Sequence, residues 1–243
     1  MSLAFYLVET VPEDGQVQLR GAEGHHAADV ARARMGERLL VGDGLGTVAE
    51  CAVVAVGRGT LNARITGRRY IPAPAHTVVV VQALAKGDRA LQAVEVMTEL
   101  GVDVIVPWSA SRSVVQWRDE RADKSLARWR ATAREAAKQS RRAWHPVVHP
   151  LHSTAQVAEL IRPAAWAAVL HEDAPSGLLA APPPAAGTVL LVVGPEGGLT
   201  DEELDLFHAA GAGLARLGDG VLRTSTAGAA AVAGLSPLLG RWT

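Results

Sequence analysis

"VLLVVGPEGGLTDEEL", residues 189–204, decides the fold. An apolar run stops at Gly194-Pro195, turns through Glu196-Gly197-Gly198 and re-emerges at Thr200 as the acidic start of a helix. A continuous run of branched aliphatic residues marks a strand covered on both faces. The glycine turn therefore stands at the C-terminal end of a buried strand, where open α/β sheets take their ligands. Thr200 is a good N-cap and Glu203, three residues on, completes a capping box that holds the turn. The string lacks the GK[ST] ending of a phosphate loop and is not GxGxxG. A loop carrying Glu196, with Asp201, Glu202 and Glu203 behind it, suits a ligand with adenosine-like parts and a positive or zwitterionic group better than a bare phosphate.

Working outward, the same strand–helix rhythm recurs. HTVVVVQAL (76–84), VDVIVPW (102–108), AWAAVLHED (165–173), TVLLVVG (188–194) and the short LARLG (214–218) read as strands. KGDRALQAVEVMTELG (86–101), a basic helix over about 123 to 143, TAQVAELIR (154–162), TDEELDLFHAAG (200–211) and a final Ala-rich stretch read as helices. Alternation of this kind predicts a parallel α/β sheet. Residues 1–72 differ. AFYLVET, QVQLRG, ERLLVGDGLGTVAECAVVAVG and LNARITGRRYI are short strand-like runs between Gly, Asp and Asn turns, with one helix at GHHAADVARARM. Many short strands in so few residues predict a small barrel. IPAPAH (71–76) reads as the linker, which gives domains at 1–72 and 73–243.

The 243 residues carry a net charge of -1, so no bulk charge advertises a polyanion. Charge is distributed unevenly. Between residues 118 and 142 nine basic side chains, among them Arg128, Arg134, Lys138, Arg141 and Arg142, face four acidic ones. A second basic scatter includes Arg32, Arg34, Arg38, Arg58 and Arg64. Such faces suit RNA or phosphate, or are simply solvated helix surface. The single Cys51 excludes an internal disulfide and argues for the cytoplasm. No signal peptide or membrane span is expected: the N-terminus turns acidic early, and the apolar tail contains Pro237. His25, His26, His145, His149, His152 and His171 carry no ligand spacing, so no metal is expected. The tryptophans are assigned to packing.

A second site-like string is LARLGDGVLRTSTAGAAAVAGL (214–235). A strand ends at Gly218, a tight loop follows, and Arg223 precedes Thr224, Ser225 and Thr226, whose hydroxyls are expected to cap the last helix. GPEGG before an acidic helix, together with LG-x-x-VLR-T-x-T-A before an Ala-rich helix, strongly resembles the SPOUT-type methyltransferases. Within them it is similar to the family that methylates uridine N3 in 16S ribosomal RNA. HHAADVARARMGERLLVGDGLG resembles that family's PUA-like barrel, QALAKGDRALQAVEVMTELGVDVIVPWSASRSVV its first βαβ unit, and RWRATAREAAKQS its basic helix.

The resemblance implies a C-terminal trefoil-knotted α/β domain, a small N-terminal PUA-like β-barrel, S-adenosylmethionine as cofactor, 16S ribosomal RNA of the small subunit as partner, and a homodimer. It carries Gly194, Pro195, Glu196 and Gly197 to the cofactor wall, with Leu217, Gly218, Val221, Leu222, Arg223 and Thr224 from the second loop and Leu170 and His171 from a third. Arg223 and Glu196 are the expected catalytic residues; Arg32, Arg34, Arg128, Arg134, Lys138, Arg141 and Arg142 are expected on RNA. Many relatives have Pro-Arg where Asp219-Gly220 stand here, and Glu where Ser225 stands, so no side-chain role transfers at those three positions. Two rivals stay open. One is a SPOUT enzyme acting on transfer RNA or 23S ribosomal RNA. The other is a non-catalytic RNA-binding assembly protein.

Overall fold

A computed structural model describes residues 3–242. Its backbone divides into two compact units, 1–73 with 137–145 and 74–136 with 146–243. A linear cut after residue 72 puts 137–145 with the C-terminal domain, whereas these nine residues cluster with the first unit.

The first unit is a five-stranded sheet in the order β1-β3-β4-β5-β2, built from β1 (Phe5–Leu7), β2 (Gln16–Leu19), β3 (Arg38–Gly42), β4 (Thr47–Gly57) and β5 (Thr60–Tyr70). Register shifts at Glu50/Cys51 and Val53/Ala55 bend the long β4–β5 ribbon. Tyr6 from one edge strand and Val17 and Leu19 from the other meet Leu39, Val41, Cys51 and Leu61 in one core. The sheet thus curls into a partly open barrel. Between β2 and β3 lie α1 (Gly21–His25) and one π-helical turn, His26–Val30. The helical segment stops there, so Arg32 and Arg34 lie beyond it, and Arg32 takes a φ of 54°. Inside this unit Lys138 Nζ donates to Glu23 Oε1 at 2.9 Å, both side chains nearly buried, and the other Glu23 oxygen accepts from the Leu7 amide.

The second unit is a six-stranded parallel sheet ordered β11-β9-β10-β6-β7-β8. Its strands are β6 (His76–Ala83), β7 (Val104–Trp108), β8 (Val147–Val148), β9 (Trp166–Leu170), β10 (Gly187–Val193) and β11 (Gly213–Ala215). Successive strand side chains point to opposite faces, and the sequence supplies apolar groups to both. Val78, Val80, Val189, Leu191 and Val193 pack under α2 (Arg89–Glu99), α3 (Asp119–Gln139) and α6 (Thr224–Leu235). Val79, Val81, Leu190 and Val192 pack under α4 (Thr154–Ile161) and α5 (Asp201–Ala209). This double coverage is why the strands read as unbroken apolar runs. α3 begins and ends about four residues before the span read from its charges, because residues 140–145 leave the helix, with Arg141 at a φ of 54°.

Strand order reverses at the centre. The chain runs from β6 outward to β7 and β8, then returns to the other side, and β10 inserts between β9 and β6. A crevice opens at such a switch point, at the C-terminal ends of β6, β9 and β10. The long β9–β10 connection crosses the exit of β11: Arg216 N donates to Ser176 O and Leu178 N to Arg216 O. From there the chain enters α6, which packs on α2, β6 and β10.

Candidate active site

A cavity of about 350 Å³ fills this switch point, walled by three post-strand loops. Leu170, His171 and Glu172 follow β9; Val193, Gly194, Pro195, Glu196, Gly198 and Leu199 follow β10; the stretch from Ala215 to Ser225, Asp219 excepted, follows β11. Ten of the expected wall residues besides Glu196 line it: Leu170, His171, Gly194, Pro195, Leu217, Gly218, Val221, Leu222, Arg223 and Thr224. Gly197 does not. Its hydrogen faces Arg112, where a Cβ would come within 3.0 Å of Arg112 Cβ and 3.1 Å of its carbonyl oxygen. Gly197 therefore admits a neighbouring loop instead of a ligand.

The GPEGG turn is held from several sides. Gly198 N donates to Pro195 O at 2.9 Å, with Gly198 at a φ of 73° that favours glycine. Arg112 Nη1 donates to Leu199 O at 3.0 Å, and the Lys86 amide donates to Glu196 Oε1 at 3.3 Å. The capping box is present, with Thr200 Oγ1 accepting from Glu203 N and Glu203 Oε2 accepting from Thr200 N. Glu203 does more. Its other oxygen, 3% exposed as a residue, accepts from Ser111 N, Ser111 Oγ and Thr154 Oγ1. A buried carboxylate is stable only when so satisfied, and here it ties α5 to α4 and to the segment that follows β7. Glu202, exposed at the helix start, has its carboxyl held below the ordinary range by backbone N–H and Thr200 hydrogen bonds.

The second loop is looser. Val221 is 74% and Leu222 43% exposed, and Arg223 is exposed at the N-cap position of α6. The expected hydroxyl caps are absent from α6: Thr224 and Ser225 are buried, and Thr226 Oγ1 donates to the Arg223 carbonyl instead of accepting an N–H. Asp219 is fully exposed, 3.9 Å from Arg216 Nη1. Gln82, completely buried in β6, donates to Thr224 O and so anchors this helix start to the sheet.

Sequence reasoning passed over Arg89, Glu172 and Arg216 in the wall. Arg89 was within reach of the rule already applied, since KGDR directly follows the central strand β6. Of the residues expected on RNA, Arg32, Arg34 and Arg141 are exposed in the first unit and Arg128 and Arg134 on α3 in the second, while Arg142 is half-buried. Lys138 is spent on Glu23.

The cavity fits S-adenosylmethionine. Leu170, Val193, Pro195, Leu199 and Leu217 give it an apolar lining that suits adenine, and Glu172 and Glu196 give it carboxylates of the sign that suits the ammonium and sulfonium charges. A fold and site of this kind define a class, and the comparisons agree. Residues 72–236 match the family described as an RNA methyltransferase domain and residues 19–66 that described as an RNA methyltransferase PUA domain. The chain belongs to this RNA methyltransferase family. Its relatives include the ribosomal RNA small subunit methyltransferase E of Mycobacterium bovis, 46% identical across all of this chain and 94% of that protein. The solved ribosomal RNA small subunit methyltransferase E of Neisseria gonorrhoeae, bound to S-adenosyl methionine, is 26% identical with a TM-score of 0.89 over 98% of both chains. A Legionella pneumophila methyltransferase solved with bound SAM is 25% identical, with a TM-score of 0.86 over 98% of both chains. The trefoil-knotted SPOUT class with a PUA-like domain ahead of it, expected from the sequence, is the fold of this chain. Among the described residues no helix is long and apolar enough to cross a membrane.

Proposed function

We propose that this protein transfers the methyl group of S-adenosylmethionine to N3 of one uridine in the 16S RNA of the small ribosomal subunit. The observation that carries the reading is the walled cavity at the switch point, joined to full-length similarity with small-subunit methyltransferases. Bound there, the cofactor supplies an electrophilic methyl on a sulfonium. The protein's own residues supply position and charge. In-line displacement gains most from holding donor and acceptor in register, which is the work of the braced GPEGG turn. Neutral uracil N3 is a poor nucleophile, so its proton must leave. Arg223, exposed and lining the cavity, donates to O2 or O4 as negative charge develops. Glu196 accepts the proton. Asp219, outside the wall and fully exposed, is the weaker choice.

In this reading residues 1–72 and the basic residues Arg32, Arg34, Arg128, Arg134, Arg141 and Arg142 hold RNA phosphates, and residues 73–243 carry the chemistry. The target base is splayed from its strand to enter. The active form is a homodimer, which the exposed Leu238 and Trp242 and the open Val221 and Leu222 support as apolar surface needing cover. Its compartment is the cytoplasm, where a ribosomal substrate would be met. Calorimetry with S-adenosylmethionine and methyl transfer to small subunits, large subunits and transfer RNA test the reading together. Cofactor binding with transfer to small subunits alone is expected; binding with transfer only to another RNA would refute the substrate, and no binding would refute the enzyme.

A further inference from the structure

Arg89 belongs to two surfaces at once. It opens α2 and lines the cofactor-sized cavity with Pro195 and Glu196. With Lys86, Gln92 and Glu95 it also lines an open groove along the start of that helix. Arg89 and Lys86 are both exposed, and among the described residues neither side chain makes a hydrogen bond or ion pair. Lys86 is fixed to the site by its backbone, whose N–H donates to Glu196 Oε1. Asp88, at the N-cap position, makes no side-chain cap.

The groove holds Asp88 and Glu95 as well, so it is no general magnet for polyanions. What it offers is two cations at the end joined to the cavity, with Arg223 in the cavity itself. A guanidinium and an ammonium lining one groove beside the cavity match a phosphodiester, the guanidinium by its two-pronged fork. A small zwitterion enclosed in the cavity would meet Arg89 but not Lys86, which lines only the outer groove.

We propose that Lys86 and Arg89 grip the backbone phosphate beside the target nucleotide, so that the RNA strand runs along the α2 groove and its base turns into the cavity past Arg89. The proposal deepens the function given above and rests on it. Lys86 and Arg89 are positioning residues: they fix the strand and leave the cofactor alone.

Full-length Lys86→Ala, Arg89→Ala and Arg89→Lys are compared with the wild type in three measurements. These are calorimetry with S-adenosylmethionine, binding of unmodified small-subunit RNA over a salt series, and methyl transfer to that RNA and to small subunits. Each alanine variant is expected to weaken RNA binding and raise KM about tenfold and to flatten the salt slope by about one contact. Cofactor affinity stays within about twofold. Arg89→Lys recovers the salt slope, which a merely structural role would not predict. Unchanged RNA affinity and slope in both alanine variants would overturn the proposal. So would a parallel loss of cofactor affinity in Arg89→Ala, which would assign the guanidinium to the cofactor's carboxylate. A wild type that binds cofactor but transfers no methyl group refutes the function itself, and the proposal falls with it.

Discussion

Gly228 has room for a hydrogen and little else: a Cβ there would stand 2.8 Å from Met97 Sδ, 3.3 Å from Val193 Cγ2 and 3.4 Å from Gln82 Oε1. All three neighbours are essentially buried, so nothing can step aside cheaply. Gly228→Val is expected to cost about 1–3 kcal/mol through overpacking, seen as a lower Tm, and to weaken cofactor binding because α6 carries one cavity wall. Cys51 behaves oppositely, being inert by design of its surroundings. Burial, with Glu50 adding to it, pushes its thiol up to about 11. The raised value contributes stability below the unfolded thiol range that is lost as pH climbs toward 11. Maleimide should leave the folded protein unmodified at pH 8 and label it fully in denaturant; labelling of the native protein would contradict the burial. The sequence made Cys51 legible, since AECAVVAV is an apolar run. It misled at Lys138, where a basic helix suggested RNA but the partner, Glu23, lies 115 residues away. Lys138→Ala is therefore expected to cost about 1–3 kcal/mol, because it takes the ammonium away from the nearly buried Glu23 carboxylate. Arg128→Ala, on the exposed helix face, should instead weaken RNA binding with no loss of Tm. Equal stability of the two variants would refute the assignment.

At the scale of elements, α5 and α6 show what a local pattern can and cannot say. The capping box at Thr200 and Glu203 is a contact three residues long, so the sequence contains all of it. The bonds from Ser111 and Thr154 to the same carboxylate span 92 and 49 residues, and only the fold brings them together. Glu203→Ala removes both sets and leaves buried donors unmet, at about 3 kcal/mol or more. Glu203→Gln, keeping the shape and one acceptor, should lose less; a Tm equal to wild type for both would mean that Glu203 is only a surface cap. In α6 the hydroxyl-rich TST string matched a cap that the helix does not use, because Thr224 and Ser225 turn into the core while Gln82 secures the helix start. The strands were read well for a simple reason: with helices on both faces, every position of 78–81 and 189–193 is buried and had to be apolar.

The whole molecule places its chemistry by strand order. Inserting β10 between β9 and β6 brings three loops, from residues 170, 194 and 217 onward, around one opening. No propensity in the sequence encodes that order; it became legible only through resemblance of the GPEGG and VLRT strings to a knotted family, since knots are too rare to infer from pattern. Arg89 and Glu172, each just past the C-terminal end of a strand, were within reach of the same rule as the glycine turn; only their meeting in one cavity needed the fold. Arg223 carries the electrostatics of the whole site: Arg223→Ala should lower turnover about 10²–10³-fold with cofactor affinity little changed, and intact turnover would remove Arg223 from the chemistry. The position of the new methyl group on the RNA decides the function most directly. Unmodified small ribosomal subunits would be incubated with the protein and S-adenosylmethionine, and their RNA digested to nucleosides for mass spectrometry. 3-Methyluridine is expected, absent without protein and strongly reduced with Arg223→Ala. A methyl group on any other base or atom, or no methylated product while the cofactor binds, would contradict it.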